Sequence, residues 1–285
     1  LEISPDSYLV RASYLLSLKP KWSGEPSDLM RFMKNIRDDA EKFPQLSSLL
    51  GYADYIFAES LAAEKRNLEA SEHFDFAVER GADHIIYRER GINHYYLKQF
   101  ELAKQDFDHS LKLWPQHPAT LQWRARTLQR LQKDEAAMID LDLAIRLQPM
   151  DRYILMTHAR MSRRMKRYEQ VLGNYEKALF YNNGDADIWF ERGMHYSHEL
   201  INFEAAAWNL KQATLLEKSN PAYWYEYAAV LHYNLNCEII EPLHQYLQLC
   251  NSGNFCHPGE LKWASHAQLW LAENNRCNGK NQNSP

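Results

Sequence analysis

Apolar residues recur at helical spacing through most of this chain, and the pattern then repeats at a longer interval. Gly91, Ala125, Ala159 and Gly193 are successively 34 residues apart. A second small column reads Ala103, Ala137, Val171, Ala206, and a third Ser110, Ala144, Ala178, Ala213. A large column reads Phe107, Leu141, Tyr175, Leu210, and another Phe100, Asp134, Tyr168, Phe203. Pro115 and Pro149 close the first two copies. A proline stops a helix because it has no N–H and its ring clashes with the preceding turn. The last copy slips by one residue between Tyr196 and Phe203, where a turn would absorb it. Small residues at fixed positions let two antiparallel helices approach, and large ones fill the gaps beside them. A plain helical bundle has no reason to keep such a period.

This pattern resembles the tetratricopeptide repeat, in which a Trp or Leu precedes a Gly or Ala by four residues and an Ala follows twelve later. "WFERG" at Trp189–Gly193 and "FELAKQDFDHSLKLWP" at Phe100–Pro115 carry the likeness most fully. Departures are Asn183 and Lys218 at the proline position and Val171 in a small column. The resemblance implies an all-α, right-handed superhelical solenoid of antiparallel helix pairs, with the first helix of each pair lining a concave groove.

The flanks extend the picture. Residues 1–45 form an N-terminal helical region. One helix there carries Tyr8, Leu9, Ala12, Leu15 and Leu16; a second, from Pro26 or Ser27 to before Pro44, buries Leu29, Met30, Phe32, Met33 and Ile36. Between them, "LKPKWSG" followed by "LMRFMKN" resembles a bacterial domain of unknown function found beside such repeats, and Trp22 is read as a packing plug. The repeat array spans 46–250, with the clear copies at 84–219. Its first repeat is degenerate (Ala58, Ala70, Phe74, Ala77), and so is its last, which starts at Tyr223-Trp224. Residues 251–285 hold a capping helix, from Glu260 to about Glu273, and a polar tail predicted to be disordered. The cap's predicted apolar side is Trp263, Ala264, Ala267, Leu269, Trp270 and Leu271.

Composition narrows the function. The net charge of −4 implies no whole-molecule attraction to nucleic acid or an anionic membrane, and no apolar run is long enough to span a bilayer. The chain starts at Leu1 and not Met, so a mature or trimmed chain is expected. Gly-rich phosphate loops, nucleophile elbows and HExxH are absent from the sequence. His195 and His198 with Glu199 offer metal-like spacing but no third ligand, and "NNGDAD" at Asn182–Asp187 reads as an inter-repeat turn. No cofactor, metal or catalysis is therefore expected. Cys237, Cys250, Cys256 and Cys277 all lie near the C-terminus. A Cys250–Cys256 or Cys256–Cys277 disulfide fits an exported protein, in the periplasm or secreted, and free thiols fit the cytoplasm.

Charge is distributed by helix. Residues 120–133 carry Arg124, Arg126, Arg130 and Lys133 with no acid, and 152–168 carry six basic residues with no acid, while the helix after the first basic one is acidic. By the geometry that the resemblance implies, the groove is lined by Arg88, Tyr95 and Tyr96, then Trp123, Arg126 and Arg130, then Arg160, Arg163 and Arg164, and finally Phe190, Tyr225 and Tyr233. Its middle is basic and its ends aromatic. Such a surface suits an acidic or aromatic-acidic segment of a partner protein. The alternatives are a solvated basic face, a self-associating assembly subunit, an envelope or polysaccharide-associated factor using the aromatic rows, and RNA binding. The residues that clamp a C-terminal carboxylate in the chaperone-binding members are not reproduced at Arg88, Ile92, Gln122 and Trp123.

Overall fold

A computed structural model describes residues 8–17, 26–43, 46–234, 237–251 and 261–273. The described residues are helical, with no strand among them. The chain divides into two compact units, Leu1–Pro149 and Met150–Pro285.

In the first unit, α1 (Tyr8–Ser17) and α2 (Pro26–Lys42) pack on α3 (Ser47–Ala63). Helix α3 pairs with α4 (Asn67–Glu79), α5 (His84–Tyr96) with α6 (Phe100–Leu113), and α7 (Pro118–Arg130) with α8 (Asp134–Leu147). Each second helix also packs on the next first helix, α4 on α5 and α6 on α7. The second unit repeats the scheme. There α9 (Arg152–Arg164) pairs with α10 (Tyr168–Tyr181), α11 (Ala186–His198) with α12 (Phe203–Leu216), and α13 (Pro221–Tyr233) with α14 (Ile240–Asn251). Helix α15 (Leu261–Glu273) then packs on α14 and α13, where a further first helix would lie.

The periodic columns are the contacts between paired helices. Phe107, Leu141, Tyr175 and Leu210 are all fully buried, as are Ala125, Ala159, Ala103 and Ala137. A methyl group on Gly91 would come within 2.8 Å of the Phe107 ring, and one on Gly193 within 2.8 Å of Leu210. Glycine therefore stands where the partner is pressed closest. Two predicted core positions are corrected. Met30 is 58% exposed and Leu269 is 55% exposed, because each lies at the edge of its helix's apolar stripe and turns outward.

The turn inside each repeat holds one residue in the same left-handed conformation five times. Lys65, Lys98, Gln132, Lys166 and Ile201 have φ between 52° and 64°, in the left-handed region. At the second of these, Lys98 N–H donates to Tyr95 O and Gln99 N–H to His94 O, which is the Schellman pattern that ends a helix. The same bonds recur at Gln132–Lys133 and Lys166–Arg167. In the last copy Asn202 N–H reaches back six residues to Tyr196 O, so the one-residue slip lies in this turn. A β-branched residue in this conformation is strained. Ile201→Gly is expected to stabilise the fold by about 1 kcal/mol, read as a rise in the urea midpoint, whereas an unchanged midpoint would remove the strain argument.

A second periodic feature starts the first helices. Side chains of Asp83, His117, Asp151, Asp185 and Asn220 each accept a hydrogen bond from a backbone N–H in the following first turn. The turn read at Asn182–Asp187 is thus the entry to α11, with Asp185 as its cap. Cys250, on α14, is disulfide-bonded. Trp22, the polar tail from Asn274, and the Cys256 and Cys277 halves of the pairings weighed above lie outside the described residues.

Candidate functional site

The predicted groove residues lie in both units, so each unit is taken by itself. In the first unit, α7 presents Trp123, Arg126 and Arg130 at spacings of three and four, which places them on one helical face. The C-terminal turn of α5 brings Tyr95 and Tyr96 against them. Trp123 lies 5.5 Å from Tyr95 and 6.0 Å from Tyr96, both edge-on. Phe100, the first residue of α6, lies 5.6 Å from Tyr95. The guanidinium carbon of Arg126 lies 4.2 Å from the Trp123 ring centre and 5.4 Å from that of Tyr95. Arg130 sits 5.3 Å from the Phe100 ring. Contact with ring faces attracts a cation without neutralising it. Neither Arg126 nor Arg130 is ion-paired to a carboxylate among the described residues. Tyr96 is 57% exposed beside them.

Arg88, by contrast, is spent internally. Its Nε and Nη2 donate to Glu89 Oε1 at 2.9 and 2.6 Å. Arg124, the first of the basic residues in 120–133, lies off the face of Arg126 and Arg130. It turns inward and makes a two-pronged pair with Asp140 at 2.8 and 2.7 Å, and it also donates to Asp108 at 2.8 Å.

In the second unit, the acids missing from α9 come from α11 and the turn that follows it. Arg160 donates to Glu191, whose other oxygen accepts from Tyr175 OH. Arg163 Nε lies 3.7 Å from Glu199. Arg164 closes α9, is exposed, and is likewise not free. The absence of acids within a helix therefore misread the charge balance, because the pairing runs between helices. Phe190 packs against Tyr223 at 4.8 Å. Tyr225 is 8% exposed, stacked against Trp263 and Trp270 of α15. The cap helix covers it. Tyr233 is 66% exposed beside Phe203.

His195 is fully buried while His198 is exposed. Burial pushes the His195 imidazole below its ordinary value, against the pull of Glu199 at 3.3 Å. Among the described residues no group of three or more His, Cys, Asp or Glu is placed to hold a metal ion, and no helix is long and apolar enough to cross a membrane.

No protein-family model matches the sequence, and no curated protein matches it. Solved structures do. A tetratricopeptide repeat protein from Parabacteroides merdae superposes with a TM-score of 0.63 at 14% identity, covering 91% of this chain and 99% of that one. The C-terminal part of a repeat-containing protein from Cytophaga hutchinsonii gives 0.62 at 14% identity, over 79% and 88% of the two chains. A chain of the Cut9–Hcn1 hetero-tetramer of the APC/C gives 0.63 at 17% identity, covering 94% of this chain and 50% of that one. The 34-residue period, the paired helices closed on glycine and alanine, and these superpositions agree: this chain has the tetratricopeptide-repeat fold.

Proposed function

We propose that the protein is a non-catalytic interaction scaffold that binds an acidic or aromatic-acidic segment of a partner protein. The observation that supports this most is the α5–α7 surface, where two arginines rest on aromatic rings without a carboxylate partner. A guanidinium already held against Trp123 and Tyr95 loses little freedom when a carboxylate binds its fork. The rings add contact area for an apolar or aromatic neighbour in the same segment. Arg160 and Arg163 have intramolecular acids and are not assigned this role.

The test uses a fluorescein-labelled peptide of alternating Glu and Tyr, with wild type beside Arg126→Glu/Arg130→Glu and circular dichroism confirming equal helicity. Affinity is expected to fall at least tenfold in the variant and steeply with salt in the wild type. Equal affinity in both proteins would overturn the assignment of the site. Salt-insensitive binding would remove charge pairing as the basis of recognition. A pull-down from native extract, comparing the same pair, then identifies the partner as a protein retained only by wild type.

A further inference from the structure

A second site emerges when the repeats are compared with one another. The residue just before each small column is Arg90, Arg124, His158 or Arg192. Across the helix pair it faces the residue just before the large column: Asp106, Asp140, Asn174 or Asn209. In the first two repeats this is an arginine forked on a buried aspartate. Arg90 donates to Asp106 at 2.9 and 2.7 Å, and Arg124 to Asp140 at 2.8 and 2.7 Å. In the third, both partners are replaced and His158 lies 2.7 Å from Asn174 Nδ2. In the fourth, only the acid is replaced. Arg192 keeps its charge and faces an amide.

The consequence is visible at Arg192. Its Nε donates to Asn209 Oδ1 at 2.7 Å, and no carboxylate among the described residues is within ion-pair reach. The acid from the preceding repeat, which at Arg124 is Asp108, is here Glu176, and Glu176 is exposed and makes no ion pair with Arg192. Hydrogen bonds to Asp140 hold the Arg124 guanidinium above its ordinary value, whereas burial pushes that of Arg192 below. Trp189 and Trp208 stand edge-to-face at 5.2 Å, with the Arg192 guanidinium 4.8 Å from the first ring centre and 6.0 Å from the second. Arg192, Tyr196, Trp208 and Asn209 line an open cleft of about 530 Å³.

We propose that this cleft between α11 and α12 is a carboxylate-binding site, in which a ligand's carboxylate supplies, at the terminal nitrogens of Arg192, the charge that Asp106 and Asp140 supply in the earlier repeats. The guanidinium offers its unused terminal nitrogens as a fork. The half-exposed Trp208 and the partly buried Tyr196 hold the body attached to that carboxylate. The carboxylate comes from a free organic acid or from an acidic side chain. Glu204 also lines the cleft. It makes no ion pair with Arg192, and its charge works against an incoming anion. This site is independent of the α5–α7 surface.

Two probes separate the sources: benzoate for a free acid, and acetyl-Phe-Glu-Phe-amide for a side chain. Each is titrated by calorimetry into the full chain carrying Arg126→Glu/Arg130→Glu, which removes the α5–α7 surface, with the Arg192 Nε–H resonance as a local readout. Saturable binding of either probe at one site is expected, and the tighter probe identifies the source. Asn209→Asp supplies the internal carboxylate of the earlier repeats and is expected to weaken binding at least tenfold. Arg192→Gln is expected to do the same by removing the cation, so the test does not depend on one variant folding. Glu204→Gln is expected to tighten binding severalfold. The proposal is overturned if neither probe saturates, or if Asn209→Asp and Arg192→Gln bind as that parent chain does.

Discussion

Phe107→Ala is expected to cost about 3–5 kcal/mol of stability. The ring is completely buried between α5 and α6 and is pressed against Gly91, where even one added methyl would lie 2.8 Å away. Removing it opens a void that Gly91 cannot fill, since glycine has no side chain to move into it. The lost transfer energy and the cavity therefore add. Domains are stable by only about 5–15 kcal/mol, so the effect is a large part of the whole. Repeats contact mainly their neighbours, so loss of the α5–α6 pair should also loosen α4 and α7. Urea unfolding followed by circular dichroism gives the number. A loss below about 1 kcal/mol would mean that the column is not the contact that holds the pair together.

Arg124→Met is expected to cost about 3 kcal/mol, at the low end for a broken buried pair because the arginine is one-quarter exposed. The penalty falls on the partner. Asp140 is 5% exposed, and without Arg124 its charge is left in the core. The informative comparison is the double variant Arg124→Met/Asp140→Leu. It removes both charges and is expected to recover most of the loss, because an apolar pair of similar volume tolerates the same burial. If the double variant is as unstable as the sum of the single ones, the fork contributes packing and not charge compensation.

The period was legible in the sequence because it is written in residue size. Gly91, Ala125, Ala159 and Gly193 admit a neighbour, Phe107, Leu141, Tyr175 and Leu210 fill the gap, and size does not depend on context. Charge does. Arg124 and Asp140 read as a basic helix and an acidic one, and they pair because 16 residues along the chain carry a side chain across the helix pair. The signal lies in the column before the small one, where Arg and Asp recur together at Arg90 and Asp106. The left-handed residues were illegible for a different reason. Lys65, Lys98, Gln132 and Lys166 have no preference for that conformation, and the bonds of the turn impose it. Of the candidate site, the cluster of Tyr95, Tyr96, Trp123 and Arg126 follows from adjacent first helices. Burial of Tyr225 required knowing where α15 docks.

The shared turn has an evolutionary corollary. Lys98 and Gln132 occupy the same place in successive turns with the same backbone. Excising 99–132 would join Lys98 to Lys133 without interrupting a helix. Arg90 would then meet Asp140 in place of Asp106, and Gly91 would meet Leu141 in place of Phe107. Both pairings already occur elsewhere in the chain, as Arg124 with Asp140 and Gly193 with Leu210. Unequal recombination can therefore lengthen or shorten such a gene by whole modules in a single event, and the one residue by which this chain departs from the period lies in a turn, before Ile201.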